Sequence, residues 1–206
     1  MTRYLGLGDS ISIDEYTGVR DGGAASQFAR LLNASQFQNL TYDGCVTQGV
    51  LDVLGKITIR PDVITVTAGG NDLLMSAMAT GPVERSVHER VPDVHGIEDR
   101  LRTIVHRLKF FEAPIILSTI YDPTDGSDAH LAELRFPEGM RAILENLNER
   151  IRRFAEDRKV IVCDLEALFR GHGFWSTESW IVKYIEPNHA GATAIARHWH
   201  ELFKKC

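Results

Sequence analysis

Three short glycine-containing stretches carry the residue types that can do chemistry together. Ser10 closes the tripeptide Gly8-Asp9-Ser10, directly after the apolar run Tyr4-Leu5-Gly6-Leu7. Gly44 lies in Asp43-Gly44-Cys45, after the short stretch Leu40 to Tyr42. Asn71 lies in Gly69-Gly70-Asn71-Asp72, after Val63-Ile64-Thr65-Val66-Thr67. An apolar run that stops abruptly at a glycine reads as a buried strand ending in a tight turn, because glycine permits backbone geometry that a side chain hinders. With the three strands parallel and adjacent, a serine hydroxyl, a glycine N–H and an asparagine amide converge on one small volume. Acyl transfer needs that set: a nucleophile, and donors aimed at the oxygen that becomes negative in the tetrahedral intermediate. An asparagine amide donates there without bringing a charge that would bind the ground state too tightly. Any one of the three stretches alone is weak, since an isolated Gly-Asp-Ser more often only forms a turn or caps a helix.

The elements that must position these residues follow from periodicity. Residues 11–21 read as a loop, and Phe28, Leu31 and Leu32 belong to a helix near residues 24–33. A weak strand over residues 40–42 leads through the Gly44 turn to a helix carrying Val50, Leu51, Val53 and Leu54. The run at 63–67 is rich in β-branched residues and apolar on both faces, as a strand in the middle of a parallel sheet should be. Residues 73–95 predict a short helix and a lid-like connection. Ile97, Leu101, Ile104, Val105 and Leu108 recur at helical spacing, followed by a strand at 115–120 and turn chemistry from Tyr121 to Gly126. Met140 to Phe154 predicts a long helix, 160–163 the fifth strand, 172–185 an irregular aromatic segment, and Pro187 the first turn of a closing helix. Five strands alternating with helices imply an α/β fold: a three-layer α/β/α sandwich around a five-stranded parallel sheet, with right-handed crossovers. No repeat, low-complexity tract or linker interrupts the pattern, so residues 1–206 are expected to form one domain.

Gly8-Asp9-Ser10-Ile11, the block centred on Gly44, and Gly69-Gly70-Asn71-Asp72, taken in this order and each after a predicted strand, resemble the SGNH (GDSL-type) hydrolases. That family covers esterases, lipases, thioesterases and carbohydrate deacetylases on a flavodoxin-like sheet, and the resemblance spans essentially the whole chain. It implies that Ser10 is the nucleophile, and that the Ser10 N–H, the Gly44 N–H and the Asn71 amide form the oxyanion hole.

The fourth block departs from the family. Asp-x-x-His normally precedes the last helix, the histidine being followed by Pro-Asn and by a glycine five positions on. Here the run is Glu186-Pro187-Asn188-His189-Ala190-Gly191, with Lys183 three residues before Glu186. A carboxylate therefore stands where the base is expected, and three arrangements can supply one. His172, between Gly171 and Gly173, can reach the site with Glu186 as its acidic partner; His189 can act with Glu186 orienting it; or Glu186 can take the serine proton itself. A glutamate titrates near ~4.3 against ~6.5 for histidine, which makes it a poorer acceptor by roughly 3 kcal/mol at equal geometry. Burial recovers part of that. Basicity places Glu186 last, and position ranks His172 slightly ahead of His189, because the segment of His172 should lie on the catalytic edge whereas His189 is shifted into the helix start.

Composition bounds the rest. The formal charge of -5, without a long run of one sign, argues against nucleic acid or an anionic membrane surface as partner, and no apolar run is long enough to cross a bilayer. Cys45, Cys163 and Cys206 are widely spaced, which suggests neither a disulfide framework nor a zinc knuckle and fits a reducing compartment. The chain runs almost directly into its first strand, so cytoplasmic residence is expected. The spacing of Asp122, Asp125 and Asp128 does not match a calcium loop. No cofactor or metal is expected. The expected partner is a small ester, thioester or acetylated sugar, with a catalytically weak binding protein for a small ligand as the alternative; the sequence leaves the oligomeric state open.

Overall fold

The computed structural model describes residues 1–78, 92–134, 136 and 139–206. Its frame is a five-stranded parallel sheet of β1 (Arg3–Gly8), β2 (Gln36–Thr41), β3 (Val63–Thr67), β4 (Ile115–Ser118) and β5 (Ile161–Cys163), in the order β2-β1-β3-β4-β5. The strand order reverses between β1 and β3. In open α/β sheets of this order, ligands bind outside the carboxyl ends of the strands at such a switch point.

Side chains alternate across the sheet and feed two cores. Leu5, Leu7, Ile64, Val66, Ile115 and Leu117 pack on one face. They meet α2 (Thr47–Val53), α4 (Val94–Leu108) and α6 (Met140–Asp157) through residues that include Val50, Leu101, Ile104, Leu147 and Phe154. On the other face Tyr4, Val63, Ile116 and Cys163 meet α1 (Ala24–Leu31) and α8 (His189–Phe203) through Phe28, Ile195 and Trp199. Two hydrogen bonds satisfy polar groups in this second core: Trp199 Nε1 donates to Ser118 Oγ at 3.3 Å, and the Tyr4 and Thr65 hydroxyls lie 2.6 Å apart. The three-layer α/β arrangement expected from the sequence is the one present. None of the helices among the described residues is long and apolar enough to cross a membrane.

The differences from expectation have local causes. The second strand is longer than 40–42: Gln-Phe-Gln-Asn-Leu-Thr runs from 36 to 41 at the sheet edge, where a half-exposed strand keeps polar residues and loses the apolar signature. α3 (Gly70–Met78) starts three residues earlier than the short helix expected from Leu73, and the lid-like connection expected up to His95 falls, over 79–91, outside the described residues. Two short helices, α5 (Asp128–Glu133) and α7 (Leu165–Leu168), complete the connections. The irregular segment before the last helix contains an antiparallel hairpin of β6 (Ile181–Val182) and β7 (Glu186–Pro187). Pro187 belongs to that hairpin and not to α8, whose cap is Asn188: Asn188 Oδ1 accepts from Ala190 N at 2.9 Å and Gly191 N at 3.1 Å.

Candidate active site

The nucleophile turn is fixed by how closely β1 approaches β3. Gly8 has φ +129, and a Cβ there would lie 1.8 Å from the Thr67 carbonyl oxygen, so only glycine fits. Asp9 N donates to that same oxygen at 3.0 Å. The chain then turns through a 3-10 turn at Ser10–Ser12, capped by Asp9 Oδ1 accepting from Ile11 N at 3.3 Å. Ser12 Oγ lies 2.9 Å from Thr67 Oγ1, which ties the turn to β3 a second time. Ser10 is left 7% exposed at the carboxyl edge of the sheet.

The second and third turns are joined to each other. Gly44 adopts φ +71 with open space where a Cβ would go, so its backbone conformation, not crowding, favours glycine there. Asn71, in the first turn of α3, donates from Nδ2 to the Cys45 carbonyl at 3.1 Å, next to Gly44. Asp72 holds the start of α2, accepting from Thr47 N at 2.8 Å and Thr47 Oγ1 at 2.6 Å while pairing with Arg100 at 3.2 Å. Its hydrogen bonds thus secure the second turn and not, as its position beside Asn71 suggests, its own. Asn71 and Ser10 line one cleft, and the Gly44 turn is joined to it by the bond from Asn71 to the Cys45 carbonyl.

Glu186 reaches Ser10 from outside the sheet. It is 8% exposed and lines the same cleft, and the strand that carries it packs against the Ser10–Ser12 turn, so the Ser10 hydroxyl acts on its carboxylate. The hairpin that carries it is held at several points. The Tyr121 hydroxyl donates to the Ile185 carbonyl. Asn188 N donates to the Trp180 carbonyl at 2.8 Å, and Asn188 Nδ2 donates to the Ser179 carbonyl at 2.9 Å. The turn itself places two non-glycine residues in the left-handed region, Lys183 at φ 48 and Tyr184 at φ 72. Each costs on the order of 1 kcal/mol, which the surrounding bonds offset.

Neither histidine lines the cleft. His172 stacks on Trp180, with ring centroids 3.7 Å apart and planes 2° apart, and its Nδ1 donates to the Glu178 carbonyl at 2.9 Å. His189 is exposed in the first turn of α8, three residues past Glu186. Of the three candidate bases, the structure therefore brings Glu186 to Ser10 and turns His172 and His189 elsewhere. Basicity placed Glu186 last, but packing governs position: the His172 imidazole stacks on the Trp180 indole, and His189 is exposed at the start of a helix.

Two carboxyl groups flank the serine, with different electrostatics. Burial pushes Asp9 up to about 7, against hydrogen bonds from Thr67 and the Ile11 N–H and with a smaller push from the negative charge of Glu186. Burial also raises Glu186, partly countered by the Ser10 hydrogen bond; nearby Asp43 raises it further and Lys183 lowers it. Burial thus favours the proton-bearing form of both carboxyls.

Three positioning residues escaped the sequence reading. Asn148, fully buried on α6, donates to the Ile120 carbonyl at 2.7 Å and accepts from Ile120 N at 2.8 Å, which fixes the chain after β4. Its signal was a polar residue on the apolar stripe of Leu144, Leu147 and Ile151. Tyr121, buried and stacked on Phe169 at 4.2 Å, is the clamp on the hairpin, and its position directly after β4 was the clue. Asp9 does cap the turn, as a turn former should, and what the sequence did not show is its burial. Asp122 does start the turn expected of it, with Oδ1 accepting from Thr124 N at 2.8 Å and Oδ2 from Gly126 N at 3.0 Å.

Known structures share the fold. The fold is similar to an acetyl xylan esterase, AlAXEase, with 17% identity, a TM-score of 0.73 and 97% of this chain and 98% of that one covered. It is similar to the lipase Lip_vut3 from a goat rumen metagenome, with 18% identity, a TM-score of 0.78 and 98% and 97% coverage. It is also similar to phospholipase A1 from Streptomyces albidoflavus NA297, with 20% identity, a TM-score of 0.69 and 99% and 98% coverage. No curated protein matches the sequence significantly. The profile of the GDSL-like lipase/acylhydrolase family matches residues 7–194, and with the three glycine turns placed along one sheet edge the chain belongs to that family of ester hydrolases.

Proposed function

We propose that the protein cleaves a small carboxylic ester, thioester or acetylated sugar through an acyl-enzyme on Ser10, with Glu186 serving as the base where the family uses histidine. The observation that carries this reading is the buried Glu186 carboxyl in the same cleft as Ser10, on a strand packed against the Ser10–Ser12 turn. In the acylation step Ser10 Oγ attacks the carbonyl carbon while its proton passes to Glu186. The oxyanion takes hydrogen bonds from the Ser10 N–H, the Gly44 N–H and the Asn71 amide, as in the family. Collapse of the intermediate returns the proton from Glu186 to the leaving alcohol, and water then enters with Glu186 again as base. Burial supports the role, because an environment that disfavours the carboxylate makes it a stronger proton acceptor.

One observation favours a second reading, a weakly active protein that retains the pocket to bind a small ligand. Among the described residues no histidine lines the cleft, and an unshifted glutamate is the poorer acceptor by roughly 3 kcal/mol. Hydrolysis of p-nitrophenyl acetate and butyrate by the wild type and Ser10→Ala separates the two. The hydrolase reading expects turnover that falls by about 10⁴-fold or more in the variant; equal rates in both proteins exclude it.

A further inference from the structure

The cleft next to Ser10 extends beyond the reacting groups along a mostly aliphatic wall. Beyond Ser10, Asn71 and Glu186 its wall is formed by Leu73, Leu74, Ile120, Leu131, Met140 and Leu144. The other polar residues on that wall are Asp9, Tyr121, Asp122 and Arg141; Arg141 Nε donates to Asp122 at 3.3 Å and its Nη1 pairs with Asp128 at 2.5 Å, while its buried Nη2 has no hydrogen-bond partner among the described residues. An acetyl methyl group would cover little of this surface. A longer aliphatic chain would displace water from it and gain free energy with each methylene buried.

Either half of an ester can supply such a chain, and the surroundings of Glu186 distinguish the two. The leaving oxygen has to sit within reach of the Glu186 proton. Outside the cleft the neighbours of Glu186 are polar: Asp43 and Lys183 act on it electrostatically, the Tyr16 hydroxyl donates to Asp43 at 2.8 Å, and Lys183 Nζ lies 4.8 Å from the Tyr16 ring centroid. A polar alcohol or sugar fits that side, which leaves the apolar cleft to the acyl group. Resting on the hydrolase reading above, we propose that the enzyme selects esters of medium-chain aliphatic acids, about four to eight carbons, over acetyl esters, with Leu131, Met140 and Leu144 setting the length.

The test is kcat/KM for p-nitrophenyl acetate, butyrate, hexanoate and octanoate, beside a series of alkyl acetates in which only the alcohol lengthens. The expected result is a rise of about 4-fold per acyl methylene until the cleft is full, with a much flatter alcohol series. Leu144→Trp, and Leu131→Trp as a second variant on a separate helix, are each expected to cut the hexanoate-to-acetate ratio at least 10-fold. A flat or falling acyl profile, or a preference that follows the alcohol instead, overturns the proposal. Calorimetry of octanamide and acetamide binding to Ser10→Ala reads the cleft without turnover. Octanamide is expected to bind at least 100-fold more tightly than acetamide, and equal affinities contradict the proposal even in an active enzyme. Length-dependent binding without any turnover would instead uphold the cleft and refute the hydrolase reading.

Discussion

The two halves of this site are built in different ways. Ser10 and Asn71 sit on turns that leave the centre of a parallel sheet, and each turn is dictated by a glycine next to a strand that is buried throughout. Glu186 sits on a two-residue strand of a small hairpin outside the sheet. Its turn uses lysine and tyrosine in the left-handed region, and clamps from Tyr121 and Asn188 hold it in place. The first half inherits its rigidity from the core, whereas the second borrows it from a few hydrogen bonds. Donors that must meet a developing charge within a fraction of an ångström gain from the first kind of support. A base that accepts and returns a proton tolerates the second.

Substitutions should separate the halves. The largest effect is expected in the sheet-borne half. Asn71→Ala should lower kcat by about 10²–10³-fold with little change in KM, because the lost donor acts on the transition state; steady-state kinetics checks it, and an unchanged kcat removes Asn71 from the oxyanion site. In the hairpin half, Tyr121→Phe deletes only the hydroxyl that holds Ile185. It should cost about 1 kcal/mol in denaturant unfolding and reduce kcat roughly 10-fold, and an unaffected kcat would show that the hairpin holds Glu186 without this clamp. The smallest effect concerns Asp9, between the halves. Its folded value of about 7 lies above the ordinary carboxylate range, so the native state binds the extra proton. The stability it contributes is fully present below the unfolded value near ~3.9 and is lost as pH rises through about 7. Between pH 4 and 8 the wild-type Tm should therefore fall more steeply than that of Asp9→Asn, by on the order of 5 °C. Parallel curves would mean that Asp9 is not held protonated.

The same contrast explains what could be read from the sequence. Val63 to Thr67 followed by Gly69-Gly70-Asn71-Asp72 announces a buried strand and its turn, since interior parallel strands are continuously apolar and the turns after them need glycine. The hairpin has no such signature. Two residues are too few to show alternation, and Lys183 and Tyr184 are not the residues that normally mark a left-handed turn. His172 illustrates the limit of arguing from chemistry alone: it is the better base, but the face of Trp180 and the Glu178 carbonyl decide where it points. The edge strand Gln36–Thr41 was legible only at its apolar end, at Leu40, because the sequence marks burial more clearly than pairing.

The central claim, that Glu186 and not a histidine takes the proton of Ser10, is tested most directly by the single-turnover rate of acylation by a p-nitrophenyl ester. The comparison is Glu186→Gln, which keeps the size and a hydrogen-bond acceptor but not the basicity, against the double variant His172→Ala with His189→Ala. Acylation should slow by about 10²–10⁴-fold in Glu186→Gln and stay within about 3-fold of wild type in the double variant. A normal rate in Glu186→Gln together with a collapse in the double variant would contradict the account.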